Sequence, residues 1–251
     1  AGFNHFTGWP DGKAVGPSVP YTDYTSPWFG IVAILAALDY RRRTGEGQYI
    51  DISQFESGVT FLAPAILEYS TNGVESNRVG NRSFIAPHGV YRSQGEERWC
   101  AIAVSNDEEW EAFCEVIGKP HLAHSSKFST LLARKENEDE MDRLVESWTI
   151  TLSAEEVMNR LQQAGVAAGV VENAKDMMDD SQLIYRGYFP TAIHSEMGEV
   201  FYDGWSSVLF KTPFQIRSCS CLGQHNLEVY TKLLGISDDE FVALLADGVF
   251  D

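Results

Sequence analysis

The longest apolar stretch of the chain covers residues 28–40 and is followed by three consecutive arginines. Apolar side chains stand on nearly every face of this stretch, a pattern typical of a helix that is covered on all sides. Thr25 or Ser26 suits its cap, Pro27 suits the first helical position and Gly45 suits the stop. With 13 residues, the stretch is too short to cross a membrane. The pattern therefore predicts a buried helix.

The residues after this helix predict further short elements. Residues 48–53 alternate between polar and apolar side chains, which favours a strand. Residues 55–69 are mostly apolar and predict a helix that Pro64 kinks or breaks. Residues 71–87 are polar and rich in glycine and asparagine, so we interpret them as a linker.

A second pattern begins after the linker and combines strands with amphipathic helices. Strand signals occur at residues 90–91, 99–104 and 166–171, and helix signals occur at residues 107–117, 134–148 and 154–164. Asn106 or Asp107 suits the cap of the first helix, and Ser153 suits the cap of the third. Together these elements predict a small α+β domain at residues 88–175.

The last part of the chain returns to a mixed pattern. Residues 188–193 and 200–210 predict two strands. Residues 227–234 predict a helix, and Ser237 with the acidic residues after it predicts the cap of another. We assign residues 176–251 to this third segment.

The composition excludes several classes of partner. The chain has 251 residues, of which 44% are apolar, so it can bury a sizeable core in one or two domains. It carries 36 acidic and 19 basic residues, a net charge of −17, which argues against nucleic acids and anionic membranes as partners. No signal peptide or membrane-spanning pattern is found. An anionic ligand would need local positive groups or another stretch of protein.

The four cysteines indicate a reduced protein rather than a metal site. Cys100 and Cys114 lie in apolar stretches, which is typical of buried thiols. Cys219-Ser220-Cys221 is a single C-x-C without a matching pair elsewhere, whereas a zinc site needs more ligands at regular spacing. We therefore expect no metal and a cytoplasmic location.

Asp23 lies just before the predicted buried helix and has two interpretations. A carboxylate at a helix N-terminus is stabilised by the free N–H groups and by the helix dipole. Held there, it could attack an electrophilic carbon. A cap or first-turn residue explains the same position without any chemistry, and this is the commoner role for an aspartate. Local physics alone leaves both interpretations open.

The N-terminal segment, residues 1–22, is rich in glycine, proline and aromatic residues and predicts turns rather than regular structure. Such segments often line a cleft. His5 and Trp9 in this segment and Tyr24 just after it are our candidates for the cleft wall. A hydrogen-bonded structural role is the alternative for His5, since the sequence shows no catalytic partner for it.

Several short motifs, taken in order, resemble one protein family. They are Asp23 with the helix after it, Arg43-Thr44-Gly45-Glu46-Gly47-Gln48-Tyr49-Ile50-Asp51-Ile52-Ser53, Gly80-Asn81-Arg82, Ala86-Pro87-His88-Gly89-Val90-Tyr91, Ala164-Gly165-Val166 and Leu222-Gly223-Gln224-His225. This pattern resembles the class III CoA-transferases, which include formyl-CoA, carnitine and benzylsuccinate CoA-transferases. Each motif is weak alone, but their order and spacing cover essentially the whole chain.

The resemblance implies an α/β fold with two domains. In this family, a Rossmann-like large domain is built from both ends of the chain, a smaller α+β domain is inserted into it, and two chains interlock as a dimer. Residues 1–70 would then be the first part of the large domain, 71–87 the linker, 88–175 the small domain and 176–251 the return. From the resemblance, we expect this sequence to lack the family's N-terminal portion, which carries most contacts to the coenzyme A nucleotide.

The resemblance also implies an activity, namely acyl-CoA:carboxylate CoA transfer. Asp23 matches the family's nucleophile, which acts through a mixed anhydride and an aspartyl-CoA thioester. The substrates would be an acyl-CoA and a carboxylic acid, with the coenzyme A thioester as substrate and no prosthetic group. A homodimer, or a heteromer with a related or N-terminal chain, is expected. The substrate or coenzyme A cleft would include Asn81, Arg82, His88 and Tyr91.

Two departures from the family pattern bear on the substrate and on the reaction. The turn at residues 92–96 has a single glycine where formyl-CoA transferase has a run of glycines, which favours a different acyl group. The α-methylacyl-CoA racemases are similar and offer an isomerase as an alternative. However, Asn106 stands here where a racemase needs a glutamate. A partner-dependent subunit of a heteromeric transferase is the third possibility.

Overall fold

The computed structural model describes residues 2–16 and 18–250, and its first part is helical. The helices are α1 (Phe3–Phe6), α2 (Tyr21–Thr44), α3 (Gln54–Thr60) and α4 (Ala63–Asn72). The predicted break between the last two is confirmed, since Pro64 stands in the first turn of α4. No helix within these described ranges is long and apolar enough to cross a membrane.

Helix α2 begins earlier than its sequence pattern indicates. It starts at Tyr21, so the predicted cap at Thr25 or Ser26 is wrong and Pro27 lies inside the helix. A proline removes the bond from its own N–H to the carbonyl four residues before it, which here is the carbonyl of Asp23. Pro27 is the seventh residue of α2, so this bond is missing from within the helix. The predicted stop at Gly45 is confirmed, with φ of 82° and an N–H bond to Arg41 O.

The prediction that this helix is buried is wrong for the chain on its own. Ser26 is the only buried residue of α2, all of whose residues are described. Val32 and Leu35 are 68% and 61% exposed. Helix α2 packs against α3, which covers one side of a helix that is apolar on every side. An amphipathic helix would need only that one contact, but α2 needs several.

The strand predicted at residues 48–53 does not form. These residues are irregular, and Ser53 instead caps α3 by accepting a hydrogen bond from Glu56 N at 3.2 Å. A strand is stable only beside another strand. The sheets that the described ranges contain are formed by later segments.

A three-stranded antiparallel sheet organises the next part of the chain. Its strands, β1 (His88–Arg92), β2 (Trp99–Ala103) and β3 (Ala167–Val170), lie in the order β1-β2-β3. Tyr91 lies opposite Cys100, and Cys100 lies opposite Val170. All three predicted strands are confirmed.

Four helices and one 3-10 turn connect β2 to β3 within the described residues. They are α5 (Asp107–Val116), the turn at Pro120–His124, α6 (Leu131–Glu136), α7 (Glu138–Thr149) and α8 (Ala154–Gln163). The predicted caps Asn106 and Ser153 are confirmed, since each side chain accepts a backbone N–H bond. The single helix predicted at residues 134–148 is in fact two helices, which meet at Asn137.

The hydrophobic core lies between one face of this sheet and these helices. Cys100 and Ile102 point into it from β2, because alternate residues of a strand share a face. The helices contribute Trp110, Phe113, Met141, Val145, Val157 and Leu161, all at most 1% exposed. The rings of Trp110 and Phe113 stack with centroids 5.6 Å apart. The predicted α+β fold of this part is therefore confirmed.

Residues 172–250 form a separate compact unit. Its elements are α9 (Ala174–Asp179), α10 (Ser181–Arg186), β4 (Thr191–His194), β5 (Gly198–Phe201), a π-helical turn (Glu228–Leu233) and α11 (Asp238–Ala246). The predicted cap Ser237 is confirmed, and the strand predicted at residues 200–210 ends early at Phe201. The wider domain organisation, with residues 1–70, 71–87, 88–175 and 176–251 as its parts, stays a prediction.

Candidate active site

A cavity of about 510 Å³ gathers five of the side chains that the sequence marks as cleft candidates. They are Trp9, Asn81, Arg82, His88 and Tyr91. The sequence does not mark the charged residues that also line it, Asp11, Asp139, Asp142, Arg143 and Glu146. The last four belong to α7, whose charged positions follow an ordinary amphipathic pattern and so give no signal of a site.

The N-terminal segment reaches this cavity because it is bonded to the linker. Gly80 N donates to Gly8 O at 3.1 Å, and Arg78 Nη1 donates to His5 O at 3.0 Å. The ring of Trp9 lies directly on Gly80, where a Cβ atom would stand 2.6 Å from Trp9 Cε3. Gly80 also has φ of 64°, a conformation that glycine adopts without strain. The glycine therefore lets the indole form part of the wall.

Arg82 carries positive charge into the cavity but is surrounded by carboxylates. Its Nη2 donates to Asp142 Oδ2 at 2.9 Å and also to Asp139, and its Nε lies 3.6 Å from Glu138 Oε2. The hydrogen bond from Arg82 holds the pKa of Asp139 below its usual range. An anionic ligand would have to displace one of these carboxylates to reach the guanidinium group.

Tyr91 is bonded to the same acidic group from the other side. Its hydroxyl donates to Asp142 Oδ1 at 3.0 Å. Burial, followed by the negative charge of Asp142, raises the pKa of Tyr91 well above its ordinary value. The phenol therefore stays protonated and keeps its hydrogen bond, which fixes β1 to α7.

His88 is bonded to a backbone carbonyl rather than to a carboxylate, so it can act on a ligand without breaking a carboxylate contact. Its Nδ1 lies 2.7 Å from Asn81 O, and a carbonyl oxygen only accepts, so Nδ1 carries the proton. The neutral ring therefore presents Nε2 as an acceptor. His88 also lines a second cavity of about 510 Å³ on the open face of the sheet, beside Ala101 and Ala103.

Arg134 fixes the segment that leads into His88, and the sequence does not mark it as a functional residue. It is 1% exposed, and its Nε donates to Ala86 O at 2.8 Å while its Nη1 donates to Phe128 O at 3.2 Å. Its Nη2 pairs with Asp107 at 2.9 Å. A buried arginine with these partners holds the backbone just before β1 in one position.

Asp23 is exposed and is not among the residues that line these two cavities. It lies in the first turn of α2 rather than before the helix, and its N–H donates to Pro20 O at 2.9 Å. The carboxylate still benefits from the N-terminal end of the helix dipole. A nucleophile at this place would therefore be accessible to a substrate.

The other two candidates lie apart from the first cavity. Tyr24 follows Asp23 in α2 and is 62% exposed. His5 lines a different cavity of about 380 Å³, formed mainly with α4. Within residues 2–16 and 18–250, no three histidine, cysteine or carboxylate side chains are grouped as ligands of a metal ion.

Comparison with known proteins gives a consistent family match. Residues 1–226 match the model of a family described as CoA-transferase family III. Succinyl-CoA–D-citramalate CoA-transferase of Chloroflexus aurantiacus is 30% identical over 250 residues, which cover 99% of this chain and 62% of that protein. The alpha subunit of succinyl-CoA–L-malate CoA-transferase, also from Chloroflexus aurantiacus, is 31% identical over 247 residues, with coverages of 97% and 58%.

A solved structure supports the fold. The crystal structure of a CAIB/BAIF family protein from Brucella suis matches with a TM-score of 0.79 and 26% identity. The match covers 92% of this chain and 60% of that one. The mixed α/β fold is therefore shared with that protein. The chain spans about three fifths of the length of the curated relatives named here.

Proposed function

Because the chain belongs to CoA-transferase family III, we propose that it forms the larger part of an acyl-CoA:carboxylate CoA-transferase with Asp23 as nucleophile. The position of Asp23 carries this proposal: it is an exposed carboxylate in the first turn of a 24-residue helix. The two relatives from Chloroflexus aurantiacus are named as transferases that use succinyl-CoA and a carboxylic acid. We extend this substrate class, but not those particular acids, to the present chain.

The first half of the reaction loads coenzyme A onto the enzyme. The Asp23 carboxylate attacks the thioester carbonyl of the acyl-CoA, and the C–S bond breaks to give a mixed anhydride and the coenzyme A thiolate. The thiolate then attacks the aspartyl carbonyl of the anhydride. This step forms an aspartyl-CoA thioester and releases the donor acid as its carboxylate.

The second half repeats these steps with the acceptor acid. Its carboxylate attacks the aspartyl thioester, which gives a second mixed anhydride and frees the thiolate again. The thiolate attacks the acceptor's carbonyl, so the new acyl-CoA leaves and the carboxylate of Asp23 is restored. Each step exchanges one acyl bond for another of similar reactivity. The coenzyme A thioester is thus a substrate, and we propose that no prosthetic group takes part.

This chemistry requires that water be kept from the intermediates and that each oxyanion be stabilised. Backbone N–H groups at the start of α2 are suited to the second task. Exclusion of water would need a cover over Asp23, which is exposed in this chain. We propose that further polypeptide provides the cover, as part of a Rossmann-like large domain that includes residues 1–70 and 176–251, in an interlocked dimer.

We further propose that the cavity beside β1 contributes to the substrate or coenzyme A cleft. Trp9 and His88 offer an aromatic surface and a hydrogen-bond acceptor there, and Asn81, Arg82 and Tyr91 complete the wall. His5 and Tyr24 are proposed as outer parts of the same cleft. The four cysteines are free thiols, which supports a reducing compartment such as the cytoplasm.

A subunit that depends on a partner chain is the second candidate. Two observations favour it, namely that one relative is an alpha subunit and that α2 exposes most of its apolar side chains. Under this proposal, Asp23 would still react, but only after a companion chain has covered α2. The companion would be a related or N-terminal chain.

The racemase-type isomerase has less support. Asn106, which stands where a racemase needs an acid or base, caps α5: its Oδ1 accepts from Glu109 N at 2.8 Å, and its Nδ2 donates to Glu109 Oε1 at 3.0 Å. A neutral amide bonded in this way cannot exchange a proton with a substrate. The cap thus argues for transfer rather than isomerisation.

Mass spectrometry tests the proposal directly. The protein, purified with any companion chain that accompanies it, is incubated with a set of acyl-CoA thioesters and digested with or without hydroxylamine. We expect an adduct on the peptide that contains Asp23, and we expect hydroxylamine to remove it. The donor that loads the peptide identifies the acyl group.

Two variants control this experiment. Asp23→Asn should abolish the adduct. Asp39→Asn should retain it, because Asp39 is an exposed carboxylate of the same helix that only pairs with Arg43 at 3.0 Å. If Asp23→Asn still forms the adduct, or if the complete assembly never forms one, covalent catalysis by Asp23 is wrong. Exchange of the α-proton of the substrate should then be measured to test the isomerase.

A further inference from the structure

The C-x-C motif lies against the β4–β5 hairpin in the second unit, and it contains none of the residues that we propose for the transfer reaction. Cys219 N donates to the hydroxyl oxygen of Tyr202 at 3.2 Å, just after β5. The same hydroxyl lies 3.5 Å from Cys219 Sγ and can donate to it. Both cysteines are reduced; Cys219 is exposed and Cys221 is half-buried.

Two polar side chains at the end of β4 face the sulfur of Cys221. Ser195 Oγ lies 3.2 Å from it, and His194 Nε2 lies 3.9 Å from it. The other ring nitrogen of His194 accepts N–H bonds from Glu196 at 3.1 Å and from Met197 at 3.2 Å. Because Nδ1 is an acceptor, the proton of the neutral ring lies on Nε2. Both groups can therefore donate toward the sulfur.

The spacing of the two cysteines along the chain does not exclude a bond between them. Residues two positions apart have Cα atoms separated by at most about 7 Å, close to the upper limit that a disulfide can span. Exposed disulfides are readily reduced, and Cys219 is exposed. A bond between these two thiols would therefore be reversible rather than structural.

We propose that Cys219 and Cys221 form a redox-active dithiol that hydroperoxides oxidise to a reversible intramolecular disulfide, with Cys221 as the attacking thiol. The deprotonated sulfur of Cys221 attacks the terminal oxygen of the hydroperoxide, and the O–O bond breaks. The sulfur becomes a sulfenic acid, and the departing alkoxide or hydroxide takes up a proton. Ser195 and His194 can donate hydrogen bonds to the charge that moves in this step.

Cys219 completes the reaction. Its sulfur attacks the sulfur of the Cys221 sulfenic acid, the S–O bond breaks, and the hydroxyl group leaves as water. In total, two thiols and one hydroperoxide give one disulfide, one alcohol or water from the peroxide, and one further water. A thiol reductant reverses the change.

The other two cysteines serve as internal standards. Cys100 and Cys114 are fully buried, and burial raises the pKa of Cys100 to about 11 and that of Cys114 to about 12. The thiolate is the reactive form, so both should stay reduced. The measurement can thus compare two pairs of thiols within one molecule.

The test uses the full chain, hydrogen peroxide and alkylation followed by mass spectrometry. Cys219 and Cys221 lie on one tryptic peptide, residues 218–232. We expect this peptide to lose two hydrogens and resist alkylation until a thiol reductant is added, while Cys100 and Cys114 stay alkylatable after unfolding. Cys219→Ser should leave a sulfenic acid on Cys221 that dimedone traps. Equal trapping on Cys219 in Cys221→Ser would overturn the assignment of the attacking thiol.

Two comparisons test whether the hairpin is responsible. Oxidation should be faster in the folded chain than in urea, where the C-x-C persists but the hairpin is lost. Ser195→Ala should slow oxidation about three- to tenfold, the rate equivalent of one hydrogen bond. Ser218→Ala is the matched control and should leave the rate unchanged, since Ser218 Oγ bonds the carbonyl oxygen of Cys219 at 3.2 Å and not a sulfur. Equal rates in folded and unfolded chains, or in Ser195→Ala and the native chain, would refute the proposal.

Discussion

Helix α2 is more apolar than helix α7, yet α7 is the one that buries apolar side chains. Helix α2 is rich in large apolar side chains, yet only Ser26 is buried. Helix α7 begins with three acidic residues, yet it buries Glu138, Met141, Val145 and Thr149. Its apolar positions share one face, and that face meets the sheet through the core. Burial therefore depends on whether a facing surface is present, and apolar content alone does not secure it.

The same contrast indicates that the helical first part of the chain needs a surface that covers α2. Burying one large aliphatic side chain stabilises a protein by about 1.5–3 kcal/mol, and α2 exposes several of them, such as Ile34 and Leu35. A polypeptide that covers this helix would gain much of that energy. In the α+β part, in contrast, the helices already cover the apolar face of the sheet.

The largest effect should come from matched leucine substitutions in the two regions. Leu161 is fully buried in α8, and Leu35 is 61% exposed in α2. Leu161→Ala should lower the free energy of unfolding by about 3 kcal/mol because it leaves a cavity. Leu35→Ala should change it by less than about 0.5 kcal/mol in this chain alone. Urea unfolding followed by circular dichroism measures both.

An equal cost for the two leucine variants would contradict the comparison, since it would show that α2 is already covered. Measuring both leucine variants again in the presence of any companion chain would test the comparison further. Leu35→Ala should then become costly while Leu161→Ala stays the same.

The second effect concerns Arg134, which joins the segment before β1 to the helices. Arg134→Met keeps much of the side chain's volume but removes its hydrogen bonds to two backbone carbonyls, Ala86 O and Phe128 O. We expect a loss of about 2 kcal/mol in the free energy of unfolding, because these carbonyls lose their donors. Asp107→Asn is the control and should cost less than about 1 kcal/mol, since that side chain is 62% exposed. If Arg134→Met does not lower the free energy of unfolding, packing alone holds β1 in place.

The third effect concerns Arg82, which joins the linker to α7 by ion pairs. Arg82→Gln should lower the free energy of unfolding by about 1 kcal/mol, since the side chain is 40% exposed but contacts several carboxylates. It should also speed proteolysis of residues 73–87. Lys127→Gln breaks an exposed pair with Glu140 at 2.7 Å and should do neither. If both variants are cleaved alike, Arg82 does not anchor the linker.

The smallest effect is a dependence on pH at the same contact. Arg82 lowers the pKa of Asp139 in the folded chain, so folding favours the ionised carboxylate. This contribution is fully present above about pH 4, the ordinary range of an aspartate, and is lost as the pH falls through the lowered value. The difference in linker proteolysis between the native chain and Asp139→Asn should be constant above about pH 4, shrink as the pH falls below that, and vanish below the lowered pKa of Asp139. A difference that grows as the pH falls would contradict this assignment.

Local signals in the sequence predict much of the α+β part. The caps Asn106 and Ser153 each form the expected bond to a backbone N–H, because capping depends on residues only a few positions apart. The three strands follow from short apolar runs between turns. The break at Asn137 was not predicted, since the amphipathic pattern continues across it.

Features that depend on distant contacts could not be predicted in this way. The apolar pattern of α2 indicates that the helix should be covered, but it does not say whether the cover belongs to the same chain. Residues 48–53 have a strand pattern without a neighbouring strand. The motifs marked Arg82 and His88, and the aromatic N-terminal segment marked Trp9; these three side chains do meet at one cavity. Arg134 went unmarked because two of its three partners are backbone carbonyls, which leave no trace in the sequence.

Pro27 has a mechanical consequence for the turn that carries Asp23. A helix resists bending through its ladder of backbone bonds, and Pro27 cannot supply the one that would end on the carbonyl of Asp23. Helices bend most readily where a bond of this ladder is missing. The turn at residues 21–24 is therefore more compliant than the body of α2 and can tilt against it while the long helix stays straight. The carboxylate of Asp23, carried by such a turn, can stay close to a reacting carbon while that carbon moves by a small distance.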